Sequence, residues 1–223
     1  MKLQDLQIKI FADGANLEDM LSVYHKGVVR GFTTNPSLMK KAGVQDYKDY
    51  ARNVLQHIPD DPVSFEVFSD DFVTMEKEAE TLSKLGDNVY VKIPVMNTKG
   101  ESSVPLIQKL SSQGCKLNVT AIFTLEQTTN VINALSAETP AIVSVFAGRI
   151  ADTGVDAYVL MKEAAKICMT KPKAELLWAS CREFYNIMEA EKSGCHIITV
   201  PNEILAKSKN YGKDLEAYSL ETV

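Results

Sequence analysis

The sequence has 223 residues, of which 45% are hydrophobic and 24% charged, and its formal net charge is -5 at pH 7. These values are ordinary for a soluble globular protein, and so mildly acidic a chain lacks the basic surface typical of nucleic-acid binding. No apolar run reaches the roughly 18 residues that a membrane span needs, and the first residues lack the apolar core of a signal peptide. We therefore expect a cytosolic protein that binds neither nucleic acid nor membrane.

Short β-rich runs alternate with helical patterns along the whole chain, with no linker or low-complexity tract between them. The eight predicted strands are Ile8 to Ala12, Val29 to Thr33, Ser64 to Val67, Val89 to Ile93, Lys116 to Ala121, Ala141 to Phe146, Glu175 to Ala179 and His196 to Thr199. Eight such strands predict a single domain over residues 1–223 with an α/β fold, the closed (β/α)8 TIM barrel. An open doubly wound sheet is the alternative, but the Gly-x-Gly-x-x-Gly loop of its nucleotide-binding versions is absent.

Helices are predicted in the segments that connect the strands, and one more follows the eighth unit. They are Leu17 to Tyr24, Tyr47 to His57, Phe72 to Leu85, Val104 to Gln113, Leu125 to Leu135, Asp156 to Cys168, Glu183 to Lys192, Pro201 to Lys207 and, last, Leu215 to Leu220. The last helix has no strand after it. We expect it to pack on a neighbouring subunit.

One lysine interrupts an otherwise apolar strand. Lys92 lies in the run Val89 to Val95, on the same side as Tyr90, while Val91 and Ile93 take the other side. Both faces of a parallel sheet are packed, so the ammonium group would point into an interior where desolvation favours the neutral amine. A nucleophilic lysine at neutral pH needs its pKa lowered from about 10.4 to roughly 7–8. The alternative is a lysine near a strand end whose side chain reaches water.

Polar side chains concentrate at the carboxyl ends of the predicted strands, which in a (β/α)8 barrel form the active-site face. They are Asp13, Thr33, Thr34, Asn35, Glu66, Lys92, Asn118, Thr120, Ser144, Arg149, Ser180, Arg182 and Thr199. Each alone has a structural interpretation: Asp13 as a helix cap, Asn35 with Pro36 as a turn, Arg149 as a surface charge. Their joint alignment with Lys92 favours a functional site.

Six motifs, each at the end of a predicted strand, carry a family resemblance that covers nearly the whole chain. They are Phe-Ala-Asp-Gly-Ala-Asn (11–16), Gly-Phe-Thr-Thr-Asn-Pro-Ser (31–37), Val-Lys-Ile-Pro-Val (91–95), Leu-Asn-Val-Thr-Ala-Ile-Phe (117–123), Phe-Ala-Gly-Arg-Ile (146–150) and Ala-Ser-Cys-Arg (179–182). In this order the sequence resembles the transaldolases, class I Schiff-base enzymes on a (β/α)8 barrel. Its length resembles their short branch, which includes the fructose-6-phosphate aldolases and commonly forms rings of five stacked as decamers.

The resemblance implies a role for each matching residue. The implied catalytic residues are Lys92 as the Schiff-base lysine, Asp13 as acid and base, and Glu66 with Thr120 around a catalytic water. The implied substrate-binding residues are Asn35, Asn118 and Ser144 at the hydroxyls of a dihydroxyacetone unit, Arg149, Ser180 and Arg182 at the phosphate, and Phe146. A guanidinium offers a planar fork of donors to such a dianion.

The implied reaction moves a dihydroxyacetone unit from sedoheptulose 7-phosphate to glyceraldehyde 3-phosphate, giving erythrose 4-phosphate and fructose 6-phosphate in the pentose phosphate pathway. It uses no metal or cofactor, and a homo-oligomer, up to a decamer, is implied. The chain departs from the short branch at Ala12-Asp13-Gly14, where Leu-Asp-Thr is usual, and at Cys181, where many members have Phe. Neither departure removes a group with an implied chemical role.

Two alternatives differ in function. A fructose-6-phosphate aldolase would release free dihydroxyacetone, but such enzymes tend to carry Gln at the position of Glu66 and Tyr at that of Phe146. A non-catalytic barrel that binds sugar phosphates would need the phosphate site but not Lys92, Asp13, Glu66 and Thr120 together. The four cysteines form no Cys-x-x-Cys pair and are read as reduced packing thiols, and His25, His57 and His196 are read as structural.

Overall fold

Eight parallel strands close into one barrel in chain order, with β8 pairing back to β1. The computed structural model describes residues 3–223. The strands are β1 Lys9–Asp13, β2 Phe32–Thr33, β3 Val63–Glu66, β4 Val89–Pro94, β5 Leu117–Ile122, β6 Ala141–Val145, β7 Ala174–Trp178 and β8 Ile197–Pro201. The predicted (β/α)8 barrel is confirmed, and every predicted strand overlaps an observed one.

Helices surround the barrel. They are α1 Leu17–His25, α2 Pro36–Lys41, α3 Tyr47–His57, α4 Phe72–Ser83, α5 Val104–Ser112, α6 Leu125–Ala134, α7 Ala147–Asp152, α8 Ala157–Cys168, α9 Asn186–Ser193, α10 Asn202–Leu205 and α11 Leu215–Thr222, with 3-10 turns at Leu3–Asp5 and Ala206–Asn210. Several begin at a side chain that accepts a backbone N–H of the first turn, as Asp46, Asp71 and Thr124 do. The short helices α2 and α7 were not predicted.

The strands separate two apolar regions. Side chains such as Val91 and Ile93, both fully buried, pack outward against the helices in the larger core. A smaller cluster of Phe11, Ile142, Leu177, Ala179 and Ile197 forms the second region, with Tyr90 packed against it. The predicted alternation along β4 is therefore confirmed, because Val91 and Ile93 belong to the outer core and Tyr90 to the second cluster.

β2 is shorter than the predicted strand from Val29 to Thr33. The ring of Phe11 lies against Gly31, where an added Cβ would come within 2.5 Å of the ring. Barrel hydrogen bonding nevertheless continues before β2, since Arg30 N donates to Ile10 O at 2.8 Å and Ala12 N donates to Gly31 O at 3.0 Å. The regular part of β2 is therefore only two residues long, but the residues before it still hydrogen-bond to β1 and keep the barrel closed.

The last helix, α11, has no buried residue, and its Leu215 and Leu220 side chains are exposed. The helix predicted from Leu215 to Leu220 is confirmed, since α11 covers Leu215–Thr222. Its packing on another subunit stays a prediction. Over residues 3–223, no helix is both long and apolar enough to cross a bilayer.

Candidate active site

The carboxyl ends of the strands surround a pocket of about 190 Å³. Nine of the eleven predicted site residues line it: Asp13, Asn35, Lys92, Thr120, Ser144, Phe146, Arg149, Ser180 and Arg182. The other two, Glu66 and Asn118, lie beside the wall and are bonded to residues of the site. The structure thus brings together side chains that the sequence distributes over seven strands and the segments that follow them.

Lys92 is buried, with 8% of its surface exposed. Its Nζ donates to the backbone oxygen of Thr34 at 3.1 Å and lies 3.1 Å from Glu66 Oε2. Glu66 and Lys92 are register partners on adjacent strands, which brings the two side chains to the same face of the sheet. The alternative of a lysine that extends to water is therefore wrong.

Glu66 on β3 and Thr120 on β5 lie on the two strands that pair with β4, which carries Lys92. Tyr47 donates its hydroxyl hydrogen to Glu66 O at 2.7 Å, which anchors the end of β3. Thr120 is 2% exposed, and its Oγ1 has no hydrogen-bond partner among residues 3–223. A buried hydroxyl without a partner is costly unless a water or ligand satisfies it, so Thr120 has unused hydrogen-bonding capacity inside the pocket.

Asp13 ends β1 and does not cap α1, whose cap is Asn16. Thr33 Oγ1 donates to Asp13 Oδ1 at 2.8 Å. Burial raises the pKa of the Asp13 carboxyl above its ordinary value of 3.8, against the opposing effects of the Lys92 charge and the Thr33 hydrogen bond. Asp13 is thus a carboxyl group biased toward its protonated form and adjacent to a cation.

A second hydrogen-bonded chain crosses the barrel beside Lys92. Asn118, fully buried, donates through Nδ2 to Ser64 Oγ at 2.9 Å, and its Oδ1 accepts from Ser144 Oγ at 2.6 Å. Both ends of the amide are therefore held by protein groups, which fixes its orientation. Ser64 was not predicted, although it stands two residues before Glu66 and so shares its face of β3.

Asn35 lies at the start of α2. Its Oδ1 accepts from Leu38 N at 2.9 Å, and Pro36 occupies the first helical position, where its missing N–H costs nothing. The alternative reading of Asn35-Pro36 as a turn is therefore wrong. Because the cap uses Oδ1, the Nδ2 group is the donor that remains for a ligand.

The arginines come from two segments that meet at α7. Arg149, on α7, is exposed and lies 5.3 Å from the centroid of the Phe146 ring. Arg182 follows β7, and its Nη2 lies 2.5 Å from Asp152 Oδ2 at the end of α7. The segments meet closely because residue 148 is glycine: an added Cβ would lie 1.6 Å from Ser180 O.

Ser180, which lines the pocket, and Ala121, which follows the pocket residue Thr120, adopt the left-handed region that non-glycine residues rarely use. Ala121 has a φ of 58° and Ser180 a φ of 63°. Ala121 lies in a register irregularity of β5 directly after Thr120. Each such residue costs about 1–3 kcal/mol, and such strain is typical of functional sites. The sequence gives no signal for either one.

Four further residues belong to the site, although the sequence assigned no specific role to any of them. Thr33, Thr199 and Cys181 line the pocket, and Thr34 supplies the carbonyl that Lys92 contacts. The three threonines are among the polar residues predicted at strand ends, but no motif indicates what their side chains contact. All four cysteines are free and buried, as predicted, and burial raises the pKa of the Cys181 thiol to about 12. Over residues 3–223, no group of three or more His, Cys, Asp or Glu side chains is arranged to hold a metal ion.

The fold and the site together define a (β/α)8-barrel protein with an amine, two carboxyl groups and two guanidinium groups at its active-site face. A lysine amine beside such groups is suited to form Schiff bases with carbonyl substrates. The chain belongs to a family described as Transaldolase/Fructose-6-phosphate aldolase, whose model matches residues 10–222.

Curated relatives carry the corresponding name. A "Probable transaldolase" of Caldicellulosiruptor saccharolyticus is 39% identical over 201 residues, which cover 89% of this chain and 88% of the relative. One of Dehalococcoides mccartyi is 34% identical over 199 residues, covering 89% of this chain and 88% of the relative. One of Methanococcus maripaludis is 38% identical over 206 residues, covering 92% of this chain and 91% of the relative. The chain is therefore similar to aldolase/transaldolase-type enzymes over nearly its full length.

The raised pKa of Asp13 predicts a specific pH dependence of stability. Folded Asp13 holds its proton more tightly than the unfolded chain does, so the free energy of unfolding falls as pH rises from 3.8 through the folded pKa. Asp13→Asn removes this dependence. In urea unfolding between pH 4 and pH 8, the unmodified protein should lose stability relative to Asp13→Asn as pH rises. Asp46→Asn, which changes a carboxyl group at an exposed helix cap and keeps Asp13, is the control, and it should lose stability with rising pH as the unmodified protein does. A stability difference that stays constant over the range would contradict the assignment.

Proposed function

We propose that this protein is a transaldolase that carries a dihydroxyacetone unit on Lys92 between sugar phosphates, with sedoheptulose 7-phosphate as donor and glyceraldehyde 3-phosphate as acceptor. The observation that carries the proposal is the position of Lys92: a buried amine, paired with Glu66, in the same pocket as Asp13 and both arginines. A sugar phosphate that places its phosphate at the arginines extends from there toward the amine. The proposed place of this reaction is the pentose phosphate pathway.

The first step makes the imine. Lys92 transfers a proton to Glu66, which lies 3.1 Å away, and its amine attacks the C2 carbonyl of the ketose phosphate. The carbinolamine then loses water to give an iminium ion. The Thr120 hydroxyl, which has no partner among residues 3–223, supports a role with Glu66 in holding that water, since the two lie on the strands either side of β4.

The second step breaks the C3–C4 bond. Asp13 takes the proton of the C4 hydroxyl, the bond electrons enter the iminium, and the aldose phosphate leaves an enamine on Lys92. The enamine then attacks the carbonyl carbon of the second aldose phosphate while Asp13 returns the proton. Water hydrolyses the new imine, which frees the product ketose and the Lys92 amine.

The remaining residues are proposed to bind the substrate. Asn35 and Ser144 lie in the pocket wall and Asn118 is bonded to Ser144, which suits them to the hydroxyls of the dihydroxyacetone unit. Arg149, Ser180 and Arg182 suit the phosphate, because guanidinium and hydroxyl donors converge there. A homo-oligomer, up to a decamer, is part of the proposal, and the exposed apolar side chains of α11 support it.

Lys92→Arg should abolish turnover while ligand binding largely survives, because a guanidinium group keeps the charge beside Glu66 but cannot form an imine. The measurement is borohydride trapping with fructose 6-phosphate, followed by mass spectrometry of the Lys92 peptide. Lys9→Arg is the matched control: Lys9 is also on a strand and paired with a glutamate, Glu175, at 2.8 Å, but lies at the other end of the barrel. Trapped adduct in Lys92→Arg would refute the nucleophile assignment.

Arg149→Ala should raise the KM for phosphorylated sugars about 30-fold, corresponding to about 2 kcal/mol. We take the low end of the expected range because Arg149 is exposed to solvent. Turnover of dihydroxyacetone-bearing substrates without phosphate should change much less. Arg52→Ala, which removes an exposed arginine of α3, is the control and should change neither value. Equal losses with both kinds of substrate would show a structural role for Arg149.

Phe146 and Glu66 decide between transfer and release of dihydroxyacetone. The enamine must outlast the departing aldose, and a ring without a hydroxyl at position 146 offers it no proton. Phe146→Tyr and Glu66→Gln should therefore each raise the release of free dihydroxyacetone from fructose 6-phosphate when no acceptor is present. Phe123→Tyr is the matched control. The ring centroids of Phe123 and Phe146 lie 5.7 Å apart, but Phe123 does not line the pocket. If the unmodified protein releases dihydroxyacetone as fast as it transfers it, the enzyme is a fructose-6-phosphate aldolase.

A further inference from the structure

Two threonine hydroxyls, one on β2 and one on β8, form a hydrogen-bonded chain with Asp13 of β1. Thr33 on β2 and Thr199 on β8 belong to the two strands that pair with β1, and both line the pocket. Thr33 Oγ1 donates to Asp13 Oδ1 at 2.8 Å and also lies within hydrogen-bond distance of Thr199 Oγ1. Both threonines are buried, at 2% and 5% exposure. The three side chains therefore form a continuous chain inside the barrel.

The direction of this chain follows from counting protons. A hydroxyl group has one hydrogen to donate. When Asp13 is ionised, Thr33 uses that hydrogen for the carboxylate, so its contact with Thr199 can form only if Thr199 is the donor. The order of donation is then Thr199 to Thr33 to Asp13. Hydrogen bonds in such a chain polarise one another, and the outer donor strengthens the inner bond.

We propose that Thr199 is a positioning residue that acts through Thr33 to stabilise ionised Asp13 and to direct Oδ2 of that carboxylate toward the substrate proton. This inference rests on the proposed function, because it concerns the carboxyl group that we assign as acid and base. Thr33 occupies Oδ1, so the proton taken from the C4 hydroxyl goes to Oδ2. The threonine chain thus gives the two oxygens of one carboxylate different tasks.

Other charges also act on Asp13 and must be kept constant in any test. Lys92 on β4 favours its ionised form, while Glu203 on α10 disfavours it. Cys181, after β7, interacts with Asp13 as well. Glu66 is bonded to Lys92, and Arg149 and Arg182 share the pocket. Conservative changes at Thr33 and Thr199 leave all these groups in place.

The test compares Thr199→Val, which has nearly the same shape without the hydroxyl, with Thr199→Ser, which keeps the hydroxyl, and with Thr33→Val. The carboxyl titration of Asp13 is followed by carbon NMR in protein with labelled aspartate, and the signal is assigned by its loss in Asp13→Asn. We expect the midpoint to move to higher pH in Thr199→Val and further in Thr33→Val, and to stay near the original value in Thr199→Ser. The kcat/KM of Thr199→Val should fall about two- to tenfold, and Thr199→Ser should recover most of it.

An unchanged midpoint in Thr199→Val would overturn the inference, and so would a midpoint in Thr199→Ser that moves as far as in Thr199→Val. A purely structural role for Thr199 would lower activity without moving the titration. The NMR titration uses the ligand-free protein and needs no turnover. Absence of trapped adduct on Lys92 would therefore refute the proposed function while a shifted midpoint still supported the threonine chain.

Discussion

The ion pair between Lys92 and Glu66 is the constraint on which the rest of the site depends. Both groups lie in a closed barrel where the desolvation of two charges is expensive unless geometry and further hydrogen bonds compensate. The Thr34 carbonyl supplies one such bond to Lys92, and Tyr47 anchors the strand end that carries Glu66. Loss of the Glu66 carboxylate would leave the buried Lys92 ammonium without its ion-pair partner, at a cost of about 3–5 kcal/mol. The pair proposed to perform the chemistry is thus also part of what the fold must stabilise.

The remaining polar groups near the pair extend this constraint. Asn118 is hydrogen-bonded to Ser64 and Ser144, and Asp13 to Thr33. Polar side chains near Lys92 are thus hydrogen-bonded to each other, and several of them also face the pocket. Fully connected networks of this kind are rigid, whereas an isolated buried polar group is costly. Thr120 is the exception, with no partner for its hydroxyl among residues 3–223. The strain at Ala121, directly after it, falls at the same place. The network therefore leaves free hydrogen-bonding capacity beside Lys92, where the proposed mechanism needs a water.

The sequence predicted the barrel and the direction of Lys92 because both follow from short-range patterns, namely alternation within a strand and the spacing of strands. It did not predict α2 and α7, since six residues are too few to show a helical period, and Asn35-Pro36 fits a cap as well as a turn. Thr33 and Thr199 are 166 residues apart, and only the closure of β8 on β1 brings them together. Contacts between the first and last strands depend on how the two strands are aligned when the barrel closes, and no local sequence pattern predicts that alignment.

Phe146 links two parts of the site that the sequence presents as separate. Its ring lies in the pocket wall and also packs against the Arg149 guanidinium, at 5.3 Å from the ring centroid. Arg182 is already paired with Asp152, so its charge is partly compensated before any phosphate arrives, whereas Arg149 has an aromatic face as its neighbour. A hydroxyl added to the ring would change both the proton donors of the pocket and the support of Arg149. In the proposed mechanism one side chain therefore couples the lifetime of the enamine to the binding of phosphate. Kinetic differences at position 146 must be separated into these two effects before either is assigned to the chemistry.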